Sequence, residues 1–299
     1  MTGPKKIVIV KLGGAAITNK RGVCELAPEK QLEQTLNHVQ LAYKILRKSG
    51  HQLVLVHGAG SFGHPQAKKY NLKVGWSSSS DDSNPNPSYV KGFSHIRSCL
   101  QELNLAIISR LESRNVPVLA IPPIDYIQTQ NCEDTCTEEF GYMASRVKKY
   151  LDLGFVPVLH GDAVLDDIRG CTILSGDIIM YQLTRLFPAV ARCIYITDVS
   201  GIYQTDPKLI TSESNELLPH VYVQENEEEI EQQEVSDSVL ADVTGGMQGK
   251  IKWAKKIILS NNSIDTIICK WGSEEALAMM SLQSPNNAIY TMTRFTKKS

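Results

Sequence analysis

The sequence has no surplus of charge of either sign, with 31 lysines and arginines against 32 aspartates and glutamates and a formal net charge of −1. A chain so balanced offers no broad basic field to nucleic acid or to an anionic membrane, so any anion it binds must be held by local groups. It also lacks an apolar run of the ~18 residues that a membrane-spanning helix needs. In MTGPKKIVIVKLGG, no charged region, apolar stretch and cleavage site precede the first strand-like segment, and a cytoplasmic location is the expectation. Paired cysteine spacing is missing too. The seven cysteines are scattered, and the closest two, Cys132 and Cys136, have no second pair of ligands to complete a metal site. Reduced thiols and no protein-held metal are expected.

Two familiar nucleotide signatures are absent or incomplete. A P-loop requires G-x-x-x-x-G-K-[ST], and GGMQGKI has neither the first glycine at the right distance nor the hydroxyl after the lysine. Gly58, Gly60 and Gly63 do read as G-x-G-x-x-G after a strand. The acids about twenty residues further on, Asp81 and Asp82, lie in a Ser/Asn/Pro loop and not at the end of a second strand, so the match is read as incidental.

What is present is an ordinary globular composition, 42% hydrophobic and 21% charged, in 299 residues, enough for one large domain or two modest ones. Short β-branched runs recur at 6–11, 52–57, 116–122, 155–161, 193–197 and 265–269. They are almost continuously apolar, as strands buried on both faces are. Between Glu29 and Ser49, Leu32, Leu36, Val39, Tyr43 and Leu46 fall at helical spacing and Gly50 suits the stop. Residues 88–114, 138–152, 176–187, 247–260 and 273–282 also read as helical. Strands alternating with helices predict an α/β sandwich with a mainly parallel central sheet. The polar segments 76–88 and 224–238 read as surface loops, the first with a lid role left open, and no internal repeat stands out.

Strand ends run repeatedly into glycine turns: KLGGAAIT at 11–18, HGAGSFGH at 57–64, HGDAVL with LSGDIIM within 160–180, and TDVSGIY at 197–203. A fifth motif, DVTGGMQGKI at 242–251, opens a helix. Glycine lets backbone amides approach an anion, and a helix N-terminus adds a favourable dipole. One such turn says little; several at the strand ends of one α/β sheet, where ligands bind, say considerably more. Lys11, Lys20 and Lys250 accompany the turns. Most lysines are solvated, but Lys11 ends an apolar strand, where an unpaired ammonium is costly. Fixed cations beside phosphoryl oxygens are what phosphoryl transfer demands.

In their order and spacing these motifs resemble the amino acid kinase superfamily and, within it, the isopentenyl phosphate kinases, from about residue 6 to the C-terminus. The resemblance implies a three-layer αβα sandwich, the amino acid kinase fold, as one domain over 1–299. Its acceptor lobe would be about 1–190 and its nucleotide lobe about 191–299. It implies a homodimer that transfers the ATP γ-phosphoryl group to isopentenyl phosphate, and to dimethylallyl phosphate, with Mg2+ as the nucleotide's counter-ion. Lys11, Leu12, Gly13, Gly14 and Ala15 match the loop under the ATP phosphates, and Lys20 matches the lysine that stabilises the transition state. Ala59 and Gly60 match the second glycine turn, and Gly176 a substrate-contacting glycine. Asp177 resembles the aspartate that orients the catalytic lysines. Asp198 and Gly201 fall in the nucleotide region, and Gly246 with Lys250 matches the last glycine–lysine pair.

His64 is the feature that carboxylate-phosphorylating members typically lack. Here it would donate to an acceptor phosphate bearing close to two negative charges. The chain departs from the pattern at Ala59, where many members have glycine and where φ must be negative, and at Ala15, where serine is common. Three alternatives stay open: a kinase of the same superfamily acting on a carboxylate or phosphonate, a non-catalytic nucleotide sensor, and a nicotinamide-dependent enzyme.

Overall fold

The first strand explains the layering. In β1 (Ile7–Leu12) every residue is buried, so neither face meets water. Successive side chains of a strand point to opposite faces. Ile7 and Ile9 join one core cluster, while Val8, Val10 and Leu12 join another. A strand buried in this way needs helices on both sides.

The computed structural model describes residues 4–72, 87–130, 137–203, 216–224, 245–284 and 291–298. After β1 come α1 (Gly14–Ile17), α2 (Glu29–Lys48), β2 (Gln52–His57), α3 (His64–Lys69), α4 (Pro87–Glu112), β3 (Val118–Ala120) and β4 (Gln128–Thr129). Next are α5 (Thr137–Asp152), β5 (Val156–His160), β6 (Asp162–Asp166), β7 (Gly170–Leu174), α6 (Gly176–Leu186) and β8 (Val190–Thr197). The remainder is β9 (Ile202–Tyr203), β10 (Leu217–Leu218), β11 (His220–Val223), α7 (Gly245–Ser260), β12 (Asp265–Lys270), α8 (Glu274–Met280) and β13 (Met292–Lys297).

The main sheet has eight strands in the order β11-β13-β12-β8-β1-β2-β5-β3. From β12 to β3 all neighbours are parallel, while β13 runs antiparallel to β12. One core packs α5, α6 and α7 against the sheet through residues such as Met143, Leu183 and Ile257. The other packs α2, α4 and α8 through Leu36, Ile107 and Met279. Helices on both faces of a mainly parallel sheet are the architecture that the strand–helix alternation predicts.

All six strand-like runs are strands, and all six helical segments are helices with slightly shifted ends. Gly50 follows α2 at φ +77, the left-handed backbone a helix stop favours. Residues 76–86 of the first polar segment lie outside the described residues, but Pro87 and Ser88, read as loop, open α4. In the second, 225–238 lie outside them, as do Cys132 and Cys136. The described cysteines, Cys24, Cys99, Cys171, Cys193 and Cys269, are free thiols. Among the described residues no helix is long and apolar enough to cross a membrane.

The parallel strands deliver their C-terminal ends to one edge, where backbone bonds continue past the ladders. Gly161 N–H donates to His57 O at 2.8 Å, Gly58 N–H to Leu12 O at 2.9 Å, and Gly13 N–H to Ile196 O at 2.8 Å. The turns then touch backbone to backbone. A Cβ on Gly14 would meet Gly60 Cα at 2.5 Å, and Gly60 itself sits at φ +50 with Thr18 Oγ1 only 2.2 Å from where its Cβ would be. Gly60→Ala is therefore expected to destabilise the fold by about 1–3 kcal/mol through left-handed strain and the Thr18 clash. Urea denaturation reads this, and an unchanged midpoint refutes the argument.

Candidate active site

Strand parity places Lys11. It continues the row of Ile7 and Ile9, so its side chain enters the face covered by α6 and α7. Only 5% of Lys11 is exposed, and its Nζ is bonded to Asp177 Oδ1. Asp177 opens α6, where the Ser175 hydroxyl caps the helix by accepting from Asp177 N–H at 3.2 Å. Ser175 Oγ also donates to the second Asp177 oxygen at 3.2 Å. The Tyr195 ring, its centroid 6.0 Å from Lys11 Nζ, lies beside the ammonium on β8. A buried ammonium is tolerated because a hydrogen-bonded carboxylate meets it.

Lys250 rises from the first turns of α7, and its Nζ donates to Gly246 O at 2.6 Å. Its stem passes over Gly13, whose missing Cβ would lie 3.9 Å from Lys250 Cε. Burial, and then the Lys11 ammonium, pull the Lys250 pKa down to about 8, against the opposing pull of Asp177 and Asp198. Lys20, half exposed on the turn after α1, pairs with Asp198 Oδ2 at 2.5 Å, at the end of β8. Three ammonium groups thus face two carboxylates, leaving one positive charge in excess.

The other predicted residues surround this centre unevenly. Leu12 is buried in the core beneath the turn. Ala15 gives its carbonyl to Gln31 Nε2 at 2.9 Å. Gly176 packs over Lys11, whose Cε lies 3.2 Å from where a Cβ would stand. Ala59 has φ −71, the negative value its methyl requires, and is buried. Gly246 is exposed beside Lys250, whereas Gly201 is buried against Thr293 of β13. His64 stands exposed at the start of α3, on the continuation of the second glycine turn.

Sequence reasoning passed over a buried polar group beneath these turns: His57, Asn104, His160, Asp162 and Arg97. Asp162 is bonded to Arg97 and accepts from Ile124 N–H at 3.2 Å and Ala163 N–H at 2.9 Å. Burial pushes its carboxyl up from the ordinary range, and Arg97 pulls it back. Two signals for this group were in the sequence. His-Gly ends two separate strands, and Asn104 interrupts the otherwise apolar buried stripe of α4.

The profile of the amino acid kinase family matches residues 6–270. The chain belongs to that family. Within it, the sequence is 33% identical to the isopentenyl phosphate kinase of Arabidopsis thaliana, over 97% of this chain and 96% of that one. It is 31% identical to the isopentenyl phosphate kinase of Methanocaldococcus jannaschii, over 84% of this chain and 87% of the other. A solved isopentenyl phosphate kinase superposes with a TM-score of 0.69 at 25% identity, covering 96% of this chain and 99% of its own.

The Lys11–Asp177 pair yields a stability prediction. Lys11→Met or Asp177→Asn alone is expected to cost about 3–5 kcal/mol by stranding a buried charge. The double variant should regain a substantial part, which urea denaturation of all four forms measures. Additive losses would show that the two groups do not compensate each other.

Proposed function

We propose that the chain transfers the γ-phosphoryl group of ATP to isopentenyl phosphate, with dimethylallyl phosphate as a second acceptor. The observation that carries this reading is the convergence of Lys11, Lys20 and Lys250 on the glycine turns of one sheet edge, with Asp177 and Asp198 holding two of them. Relatives of this chain named for that activity support it.

In this reading the Lys11–Ala15 turn, Gly246 and Lys250 hold the ATP phosphates, with Asp198 and Gly201 on the nucleotide side. The Ala59 and Gly60 amides, Gly176 and His64 hold the acceptor phosphate. Lys11 and Lys20 face the oxygens over which charge spreads during transfer, and Asp177 keeps Lys11 aimed. The acceptor oxygen is already ionised at neutral pH, so transfer proceeds in line without a general base or a covalent enzyme intermediate. Behind Ala59, the apolar side chains of Ala67, Leu72, Ile96, Leu100 and Ala163 pack together between α3, α4 and β6, so the acceptor side of the turn has an apolar surround, in keeping with an isoprenoid acceptor.

Mg2+ fits this arrangement as the nucleotide's counter-ion. Among the described residues no group of three His, Cys, Asp or Glu side chains could hold a metal, and Asp177 and Asp198 are each engaged by a lysine. When bound with ATP, it neutralises part of the phosphate charge. The same reading takes about 1–190 as acceptor lobe, about 191–299 as nucleotide lobe, a homodimer as the assembly and the cytoplasm as the location.

With Mg-ATP, ADP release is expected for isopentenyl phosphate and dimethylallyl phosphate but not for fosfomycin, glutamate or N-acetylglutamate. Turnover confined to a carboxylate or to fosfomycin refutes the acceptor assignment. His64→Ala should lose about 10- to 100-fold in kcat/KM for the phosphate acceptor while ATP affinity survives, the size of one hydrogen bond to a charged group. An unaltered kcat/KM removes the histidine from the site.

The depressed pKa of Lys250 gives a pH dependence with a defined sign. Phosphates favour its protonated form, whereas above pH 8 the free enzyme holds it neutral, so ATP binding must take up a proton. The Kd for ATP is expected to rise with pH above 8, by at most about tenfold per unit. Titration calorimetry reads this, and the Lys250→Gln variant should lose the dependence. A flat wild-type profile overturns it.

A further inference from the structure

The mechanism above leaves two buried imidazoles unused. His57 and His160 are the last residues of β2 and β5 and stand opposite each other in register. Their rings stack with centroids 5.2 Å apart. Strand parity places both on the α4 side of the sheet, in line with Leu53 and Leu55 on β2 and with Val156 and Val158 on β5. His57 is 1% exposed and His160 fully buried.

Each ring addresses the turn that follows it. His57 Nδ1 lies 3.1 Å from Gly58 O, and His160 Nδ1 lies 3.1 Å from Gly161 O. A carbonyl can only accept, so each Nδ1 carries a proton. Burial above all, and at His57 the neighbouring His160, hold both pKa values at about 4, so the rings are neutral and each Nε2 is a bare acceptor. At His57 that acceptor faces Asn104 Oδ1 at 3.1 Å, and the Nδ1–H form of the ring requires the Asn104 amide turned by half a turn, so that its NH2 donates to Nε2. At His160, Nε2 has no hydrogen-bond partner among the described residues. The nearby charges are Asp162, with Oδ1 3.8 Å from His160 Nδ1, and Arg97, bonded to that carboxylate.

The consequence follows from peptide geometry. Across a planar trans peptide, the carbonyl of one residue and the N–H of the next point in opposite directions. A Gly58 carbonyl held against the His57 ring turns the Ala59 N–H the other way. The Ala59 and Gly176 nitrogens lie 3.7 and 3.3 Å from where a Cβ on Gly161 would stand, so these amides gather around the Gly161 turn. No described residue accepts a hydrogen bond from the Ala59 or Gly60 N–H.

We infer that His57 and His160 are positioning residues of the acceptor site. Their Nδ1–H groups fix the Gly58 and Gly161 carbonyls and thereby aim the Ala59 amide, and set the turn beside Gly176, toward the acceptor phosphate. The inference rests on the acceptor reading above, but it concerns the cradle for the anion and not the identity of its tail.

Two measurements test it. In the wild-type enzyme with 15N-labelled histidine, NMR should show both rings protonated on Nδ1 and without titration from about pH 5.5 to pH 9, the signals being assigned by their loss in His57→Asn and His160→Asn. A ring protonated on Nε2, or titrating in that range, overturns the inference. The second compares His57→Asn, whose amide nitrogen takes the place of Nδ1, with His57→Gln, which reaches the place of Nε2, and with the same pair at position 160.

The Gln variants are expected to raise the acceptor KM by about tenfold, with the ATP KM held within about twofold, and the Asn variants to recover most of the loss. Equal behaviour of Asn and Gln, or an ATP KM rising in step with the acceptor KM and with lost thermal stability, shows a packing role only and overturns the inference. The KM series uses whichever acceptor the wild type turns over. A wild type that prefers another anion therefore refutes the isopentenyl phosphate assignment while leaving the Asn-against-Gln comparison decisive.

Discussion

Between the turns after β1 and β2 there is no room for a methyl group. A Cβ on Gly14 would fall 2.5 Å from Gly60 Cα, and one on Gly58 would fall 2.8 Å from Gly14 N. Neighbouring strands stand about 4.8 Å apart, and these turns keep that closeness after the ladder has ended. The cleft at this edge is therefore floored by peptide groups. Its charges arrive by three routes: from below through strand parity, from the helices alongside, and from the turns at its rim, as Lys20 and Asp198 do after α1 and β8. Lys11 comes by the first route, and Asp177 and Lys250 by the second, from α6 and α7.

That origin divides the lysines by how firmly they are held. Lys11 is enclosed and committed to Asp177, which is itself tied to its helix cap. The Lys20–Asp198 pair is half exposed, and such pairs are worth at most about 1 kcal/mol, so a phosphate can displace the aspartate at little cost. Lys250 bears the excess. It is pressed toward neutrality by burial and by Lys11, and the negative charge of an arriving polyanion opposes both. In the proposed site this surplus of positive charge favours a bound phosphate.

Much of this was legible in the residues. Unbroken apolar runs fixed the buried parallel strands, and helical spacing with Gly50 fixed α2 to within a residue or so of its end. The cost of an unpaired ammonium singled out Lys11 correctly as buried. Its partner could not be read that way, because Asp177 is 166 positions away and only the sheet's crossovers bring it close. The resemblance supplied that residue where local chemistry did not. β13 was missed because MTRFTK has only two apolar residues, Met292 and Phe295, set three apart, so it shows neither an unbroken apolar run nor a period-2 alternation, and it pairs antiparallel at one side of an otherwise parallel run. The β6–β7 hairpin was absorbed into its flanking glycine motifs. His57 and His160 stood in quoted motifs, yet a strand-end histidine does not declare which face it takes until the register of both strands is known.

The division between backbone and side chain also decides where selectivity can reside. Peptide amides bind any oxyanion and distinguish poorly among phosphate, phosphonate and carboxylate. A cradle of amides becomes selective only when its orientation is fixed and side chains add what amides cannot. In the proposed site, His64 adds a donor suited to a second negative charge, and the apolar surround of Ala67, Leu72, Ile96 and Leu100 disfavours polar tails. Fixing the orientation falls to groups that touch no ligand. Two neutral imidazoles are suited to it: each donates to a carbonyl and brings no charge that would compete with the lysines for the phosphates. A lysine or arginine in their place would face the desolvation penalty of a second buried cation, and an apolar residue would leave the carbonyls unheld.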